Sequence, residues 1–373
     1  MKSSELMEAD EVAHVLRRLG KGAKFGDLDA RARLLLKQLE RKTGQFWGAS
    51  ETAATYTQQL LTTKCHLLPL IYPAFKARCR QLRLNPPPLA TLWRIYLPLA
   101  QWLVMQREKN PKETFVLGVS GAQGSGKSTL CGLLQIILEA GFDQRTAILS
   151  IDDFYLSQTE RRRLADQVHP LFRTRGVPGT HDISLAMEIL TSLKEVNQST
   201  VTSLPVFDKA TDNPLPREKW IAFQGKPAII LFEGWCVGAR PEPEPRLVKP
   251  MNTLEAEEDR EGTWRHYVNR MLENEYAQLF GLLNALLFLE IPTFEVVYRQ
   301  RLEQEQQLAQ LLQQRQGSKE DRRTMSPSEL RHFIMHFQRL TEYLLDEMPG
   351  RADLVLKIDD YRRFQSVKIR SRT

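Results

Sequence analysis

Residues 121–128, Gly121-Ala122-Gln123-Gly124-Ser125-Gly126-Lys127-Ser128, match the pattern GxxxxGK[ST] in full. Glycines at these spacings let the backbone fold into a nest whose N–H groups point at phosphate oxygens. A helix that starts here adds the partial positive charge of its N-terminus. In that arrangement Lys127 reaches the β and γ phosphates and Ser128 ligates Mg²⁺. The expected nucleotide contacts are Gly121, Gly124, Ser125, Gly126, Lys127, Ser128 and Thr129. The bland alternative is a chance glycine-rich turn, made rarer by the strand signal before the motif and the helix signal after it. The motif speaks for nucleotide binding and leaves the reaction open.

Two acidic groups follow at the ends of predicted strands. Leu149-Ser150-Ile151-Asp152-Asp153-Phe154-Tyr155 puts two carboxylates at the carboxyl edge of a sheet, where ligands bind in open α/β folds. A carboxylate beside a γ-phosphate can accept a hydroxyl proton as that oxygen attacks. Residue type alone divides Asp152 and Asp153 between that role, a helix cap and a metal ligand. Glu233, in Phe232-Glu233-Gly234-Trp235, can hold Mg²⁺ directly or through water, or can be an exposed loop acid.

Between these lies the loop His169 to Asp182, dense in Gly, Pro, His and Arg, and then Pro205-Val206-Phe207-Asp208-Lys209. Arg173, Arg175 and His181 can surround a small anion, with Arg favoured where a carboxylate needs a bidentate partner. Asp182 can equally be the cap of a following helix, and single surface arginines usually do nothing specific. Cys236 reads as a small buried apolar residue, with no second cysteine to pair with.

The elements that must position these groups change character near Asn110-Pro111. Before it, Arg31 to Leu39, Ala54 to Leu70 and Leu89 to Met105 show apolar residues at helical spacing, with breaks expected at Gly44, Gly48 and Pro86-Pro87-Pro88. After it, strands are expected near 115–120, 147–151, 201–207, 228–232, 285–291 and 354–358, with helices between them. Ser326-Pro327-Ser328-Glu329 is a capping box with Pro at the first helical position. The stretch 240–262, rich in Pro and Glu, reads as an exposed excursion. The expected fold is α/β: a P-loop NTPase-type parallel sheet flanked by helices, with an N-terminal all-helical region over 1–110. The part that bears the phosphate loop covers 111–373, with a helical lid at about 294–325.

The chain has 373 residues and a net charge of +7. Residues 1–110 hold 18 Lys and Arg against 9 Asp and Glu, whereas the remainder holds 34 against 36. The basic surplus therefore belongs to the N-terminal helices. It lacks the aromatic interleaving of a nucleic-acid surface, so no nucleic-acid partner is expected. No apolar run approaches the ~20 residues of a membrane span. The acidic N-terminus fits neither a signal nor a transit peptide. Four scattered cysteines form no disulfide framework. A cytoplasmic protein with no membrane partner is expected, and it is read as a monomer.

Taken in order, GAQGSGKSTL, LSIDDFYL, RGVPGTHD, PVFDKATDNPLP and LFEGW resemble the plant and cyanobacterial type of D-glycerate 3-kinase, over about 111–360. Phosphoribulokinase, uridine kinase and bacterial pantothenate kinase are wider relatives. The resemblance implies transfer of the ATP γ-phosphoryl group to the 3-hydroxyl of D-glycerate, with ATP and Mg²⁺ as cofactors and a photorespiratory setting. It makes Asp152 the base and gives Lys127 and Ser128 the phosphates and metal. Glu233 supports the metal, and Asp153 shares it or orients Lys127. Arg175 meets the substrate carboxylate, with Arg173, His181, Asp208 and Lys209 as further substrate contacts. In the lid, Val297-Tyr298-Arg299-Gln300-Arg301 keeps Arg301 for transition-state charge but has Gln300 where the family commonly has Trp. Alternatives are a sister kinase for pantothenate, a nucleoside or a sugar phosphate, and a nucleotide-switched regulatory ATPase. The IDDFY segment, with its carboxylates so soon after the phosphate loop, weighs against the last.

Overall fold

The computed structural model describes residues 3–48, 54–314 and 325–370. Its first third is helical: α1 (Ser3–Gly20), α2 (Ala30–Phe46), α3 (Ala54–Gln81), α4 (Leu89–Thr91) and α5 (Leu97–Arg107). A π-helical turn over Leu92–Tyr96 joins α4 to α5 without a break. Asp29 caps α2 by accepting the Ala32 N–H at 2.8 Å. The sequence predicts a break at Gly44, yet α2 continues to Phe46. Its buried face carries Leu36, Leu39 and Thr43, and packing outweighs the propensity cost of one glycine. For the same reason α3 runs through Pro69 and Pro73 to Gln81, anchored by the fully buried Ile71 and Phe75.

In chain order the strands are β1 (Phe115–Gly121), β2 (Thr146–Ser150), β3 (Val201–Leu204), β4 (Phe207–Asp208), β5 (Asn213–Pro214), β6 (Ile221–Gln224), β7 (Ile229–Gly234), β8 (Ala285–Glu290), β9 (Leu354–Ile358) and β10 (Phe364–Ile369). Six of them form the central sheet in the order β10-β9-β8-β1-β7-β2, all parallel except β10, which runs antiparallel to β9. The expected parallel sheet flanked by helices is therefore present, with an antiparallel edge strand that the sequence pattern did not reveal. Residues 201–207 depart from expectation. Val201–Leu204 is a strand that pairs with β6 in a separate two-stranded ribbon, and Phe207 opens β4, which pairs with β5 in another. Burial along Val201–Leu204 alternates exposed and buried, whereas β7, paired on both sides within the sheet, is buried throughout.

The remaining helices are α6 (Lys127–Phe142), α7 (Gln158–Gln167), α8 (Ile183–Glu195), α9 (Glu244–Leu247), α10 (Thr253–Glu258), α11 (Thr263–Glu273), α12 (Glu275–Phe280), α13 (Glu295–Gln314) and α14 (Pro327–Glu347). Successive strand residues serve opposite faces. Leu117, Val119, Ile229, Leu231, Leu287 and Leu289 join α1 to α6 in one apolar cluster. Val116, Ile230, Phe232, Leu286 and Phe288 join α8, α11, α12 and α14 in the other. The N-terminal helices thus share a continuous core with one sheet face. Gly141 of α6 lets α3 approach closely, since a Cβ there would fall 2.6 Å from Ile71 Cδ1. Inside this layer Lys64 Nζ lies 2.9 Å from both carboxylate oxygens of Glu40, and the Trp93 indole donates to Glu40 Oε2 at 2.7 Å, all three side chains buried.

The stretch 240–262 is largely exposed, as its composition suggests, but it carries two short helices and is anchored from a distance. Arg339 of α14 donates to Glu255 at 2.7 Å and to the carbonyls of Arg246 and Lys249, drawing α9 and α10 onto the core. Long-range partners of this kind are invisible in local composition. The Ser326 capping box forms as expected. Within the expected lid, α13 is a helix seated through Val296 and Val297, while Arg322 and Arg323 lie outside the described residues. Among the described residues no helix is long and apolar enough to cross a membrane.

Candidate active site

The phosphate loop leaves the carboxyl end of β1, the middle of the sheet, and feeds directly into α6. Gly124 and Gly126 have φ of +80° and +99°, which a Cβ would strain. Gly126 is the N-cap of α6, so the free N–H groups of the first helical turn face the loop's hollow. Lys127 is buried and folds back over the loop, donating to the carbonyls of Gly121 at 2.7 Å and Ala122 at 3.0 Å. Burial pulls its ammonium pKa down, against the opposing charges of Glu233 and Asp152. Anionic phosphates would relieve that desolvation. Gln123 Oε1 and Ser125 Oγ are buried with no hydrogen-bond partner among the described residues, as befits a loop built for a polar ligand.

Ser128 Oγ donates to Glu233 Oε1 at 2.8 Å. Glu233 is a buried residue within β7, which removes the exposed-loop reading for this residue. Among the described residues no group of three or more His, Cys, Asp or Glu could hold a metal by itself. A Ser and one carboxylate beside a phosphate site suit Mg²⁺, which keeps several waters and takes the rest of its ligands from the phosphates. The residues present fit MgATP in this sense.

Asp152 and Asp153 sit in a short 3₁₀ turn, Ile151–Phe154, at the end of β2. Asp152 Oδ1 accepts the Tyr155 hydroxyl at 2.8 Å, and Oδ2 accepts Lys209 Nζ at 2.7 Å. Burial raises the Asp152 pKa, but the Lys209 charge and the bonds from Lys209 and Tyr155 outweigh it, so the carboxyl lies below its ordinary range. Asp153 Oδ1 accepts the Phe207 N–H at 3.1 Å. Its carboxyl is pushed up to about 6 by burial, opposed by that bond and assisted by the Asp152 charge. Adjacent residues thus hold protons with very different affinity.

Arg175 pairs with Asp212, which also holds the buried Arg161, and its guanidinium lies over the Phe207 ring. His181 is buried behind Tyr155, stacked on it at 4.5 Å between centroids, with Nδ1 2.6 Å from the Tyr276 hydroxyl. Burial brings its pKa down to about 4, so the ring is neutral near pH 7. The loop Asp182 caps α8 through Leu185 N–H at 2.9 Å. Arg173 is exposed and lies 3.7 Å from Asp166, and Asp208 closes a turn by accepting from Ala210 N–H and the Thr211 hydroxyl. Neither of them, nor His181, lines the cleft. Sequence proximity to RGVPG and PVFD did not carry Arg173 or Asp208 into the site, because each bonds locally at the surface. Cys236 is fully buried.

The cleft has a volume of about 1350 Å³, more than one small-ligand pocket requires. By the elements that supply it, its lining falls into two groups of residues, or arms. One holds Asp152, Asp153, Tyr155, Arg175, Lys209, Glu233 and Trp235. The other is walled by Pro88, Thr91, Arg94 and Tyr96 from the N-terminal helices and by Tyr361 to Phe364 from the turn between β9 and β10. Arg301 and Glu303 of α13 line the cleft as well. The second arm is what sequence reasoning missed. Arg362 Nε donates to Gly124 O at 2.7 Å, and the Tyr96 and Phe364 rings meet edge to face at 6.2 Å. A capless basic turn and a stretch of apolar helix carry no motif, so nothing local flags them.

No family model matches the chain. The uncharacterized kinase mug58 of Schizosaccharomyces pombe is 30% identical over 263 residues, covering 66% of this chain and 88% of that protein. The chain belongs to the same family of P-loop kinases. The resemblance to the D-glycerate 3-kinase type holds in the comparisons. The chloroplastic D-glycerate 3-kinase of Arabidopsis thaliana is 28% identical over 241 residues, which are 60% of this chain and 50% of that enzyme. The match thus spans half the length of the plant relative. The structure of a D-glycerate 3-kinase from Cryptococcus neoformans superposes with a TM-score of 0.60 at 23% identity, over 74% of this chain and 99% of that one, which shows a shared fold. This P-loop kinase therefore has phosphotransfer as its chemistry.

Proposed function

We propose that this kinase transfers the γ-phosphoryl group of ATP to the 3-hydroxyl of D-glycerate. The observation that carries the reading is the placement of Asp152, held by Tyr155 and Lys209, in the same arm of the cleft as Arg175 and next to the phosphate loop. A base with one cation bonded to it, and a second cation lining the same cleft, suit an acceptor with both a hydroxyl and a carboxylate.

In this reading Arg175 and Lys209 bind the carboxylate, and Lys209 exchanges its bond to Asp152 for one to the substrate. Asp152 takes the hydroxyl proton as the oxygen bonds to the γ phosphorus. The bond from that phosphorus to the β–γ bridging oxygen breaks, and ADP and 3-phospho-D-glycerate leave. Lys127 and the N–H groups of the loop and first turn of α6 stabilise the charge on the phosphates. Mg²⁺, held by Ser128 and Glu233 with Asp153 nearby, would supply further charge neutralisation. The base and ribose of ATP occupy the arm between Thr91, Arg94 and Tyr361 to Phe364. Helix α13 acts as the lid that excludes water, and Arg301 faces the transferred group.

ADP release measured with D-glycerate, L-glycerate, uridine and pantothenate, each against no acceptor, tests the reading. Stimulation by D-glycerate above the other three is expected. Stimulation by pantothenate or uridine alone would move the acceptor to a sister kinase, and acceptor-independent hydrolysis unaffected by D-glycerate would overturn the proposal.

A further inference from the structure

Gln300 occupies the second turn of α13 and is 3% exposed, yet neither Oε1 nor Nε2 has a hydrogen-bond partner among the described residues. Its carboxamide abuts the phosphate loop: a Cβ built on Gly124 would lie 2.5 Å from Gln300 Oε1 and 3.1 Å from Gln300 Cβ. Two further buried orphans, Gln123 Oε1 and Ser125 Oγ, flank the same glycine in sequence. From the other side, Arg362 grips the Gly124 carbonyl at 2.7 Å. Gly124 is therefore held between the lid helix and the turn between β9 and β10.

A buried amide with both ends unmade costs stability, and a methionine or leucine of similar volume would pack there without that cost. Native proteins pair the great majority of such atoms, and exceptions usually have a functional cause. The strain-permitting φ of Gly124 and the orphans around it mark the loop as a place where backbone polar groups change partner when a polyphosphate fills the nest.

We propose that Gln300 is a positioning residue for the nucleotide. Its carboxamide bonds the phosphate loop around Gly124 in the nucleotide-loaded state, so that loading the loop seats the lid helix. The amide stabilises the loaded form at the expense of the free one. The inference rests on ATP binding at the phosphate loop and not on D-glycerate as the acceptor.

The test uses the full chain with Gln300→Leu and Gln300→Met, two apolar replacements of similar size. It reads the melting temperature without nucleotide, the affinity for a non-hydrolysable ATP analogue with Mg²⁺, and the KM for each substrate. Without nucleotide, both variants should melt at or above the wild-type temperature. Nucleotide affinity should fall about tenfold, the equivalent of one hydrogen bond of ~1.4 kcal/mol. KM for ATP should rise while KM for the acceptor stays within twofold. Equal nucleotide affinity in wild type and both variants would overturn the role of Gln300. A lowered melting temperature with unchanged affinity would also overturn it, as a packing role alone. A wild-type protein that bound no nucleotide in the same titration would remove the nucleotide site itself and the inference with it.

Discussion

Lys209 Nζ lies 2.7 Å from Asp152 Oδ2, although Lys209 is 61% exposed and Asp152 only 29%. The carboxylate is the fixed partner and the ammonium the mobile one. Asp152 is held independently by Tyr155, whose ring stacks on His181, so the base keeps its aim when Lys209 moves to a substrate. Replacing Asp152 with Asn should leave nucleotide affinity within about twofold and lower kcat by roughly 10²- to 10⁴-fold. Single-turnover phosphate transfer alongside a nucleotide titration measures both. A variant with near wild-type turnover would displace Asp152 as base, and Asp153→Asn would then be the next variant to assay.

The two cations of the acceptor arm should separate from the nucleotide arm in kinetics. Arg175→Ala and Lys209→Ala should each raise KM for the acceptor by about tenfold or more, as expected for a lost charge-assisted bond of ~1.5–3 kcal/mol. KM for ATP should change little. Arg173→Ala should alter neither, because Arg173 points to Asp166 at the surface. An Arg173 effect equal to that of Arg175 would show that the loop rearranges on binding.

Acid should destabilise the fold through two histidines. His181 and His336 are both brought down from 6.5 to about 4 by burial. The unfolded chain protonates them near 6.5 and the folded chain only near 4, so their contribution is complete above pH 6.5 and drains away as pH falls toward 4. Asp153 acts with the opposite sign. Its pKa rises from 3.8 to about 6 on folding, so its contribution is complete below pH 3.8 and is lost as pH rises through 6. Urea midpoints measured without Mg²⁺ between pH 7 and 4.5 should fall in the wild type. The fall should be shallower in His336→Phe and steeper in Asp153→Asn. A His336→Phe slope equal to wild type would contradict this assignment.

The buried pair of Lys64 and Glu40 supports the N-terminal layer. Desolvation lowers the Lys64 pKa and Glu40 raises it, with the net shift downward. Lys64→Met leaves the Glu40 carboxylate buried with only the Trp93 indole as partner among the described residues and should cost ~3–5 kcal/mol. Adding Glu40→Leu should recover much of that loss, since two apolar residues can replace a buried pair at little cost. Chemical denaturation of the single and double variants decides it: a double variant no more stable than Lys64→Met would refute the account.

Reading the chain residue by residue recovered most of the central sheet because its strands are buried on both faces and are therefore continuous apolar runs. Gly121 to Ser128, Asp152 and Glu233 were legible for a different reason. Each lies at the carboxyl end of such a strand, within a few residues of it, so position along the chain predicts position at the sheet edge. The failures also share a cause. Val201–Leu204 has strand chemistry but no site in the sheet, and the anchor that holds the largely exposed stretch 240–262, Arg339, lies 80 or more positions away.

The sequence by itself determined that phosphates are bound, which strand ends bear acids, and that the basic surplus belongs to the N-terminal helices. Those properties are local, set by glycine backbone freedom, helix termini and residue charge. Tertiary structure alone decided that Lys209 meets Asp152, that Arg173 and Asp208 do not line the cleft, and that Thr91, Arg94 and Arg362 do. These depend on contacts between residues far apart in the chain, Arg362 and Gly124 being 238 positions apart. Such contacts arise only when the two faces of the sheet are covered, and no short window of sequence encodes them.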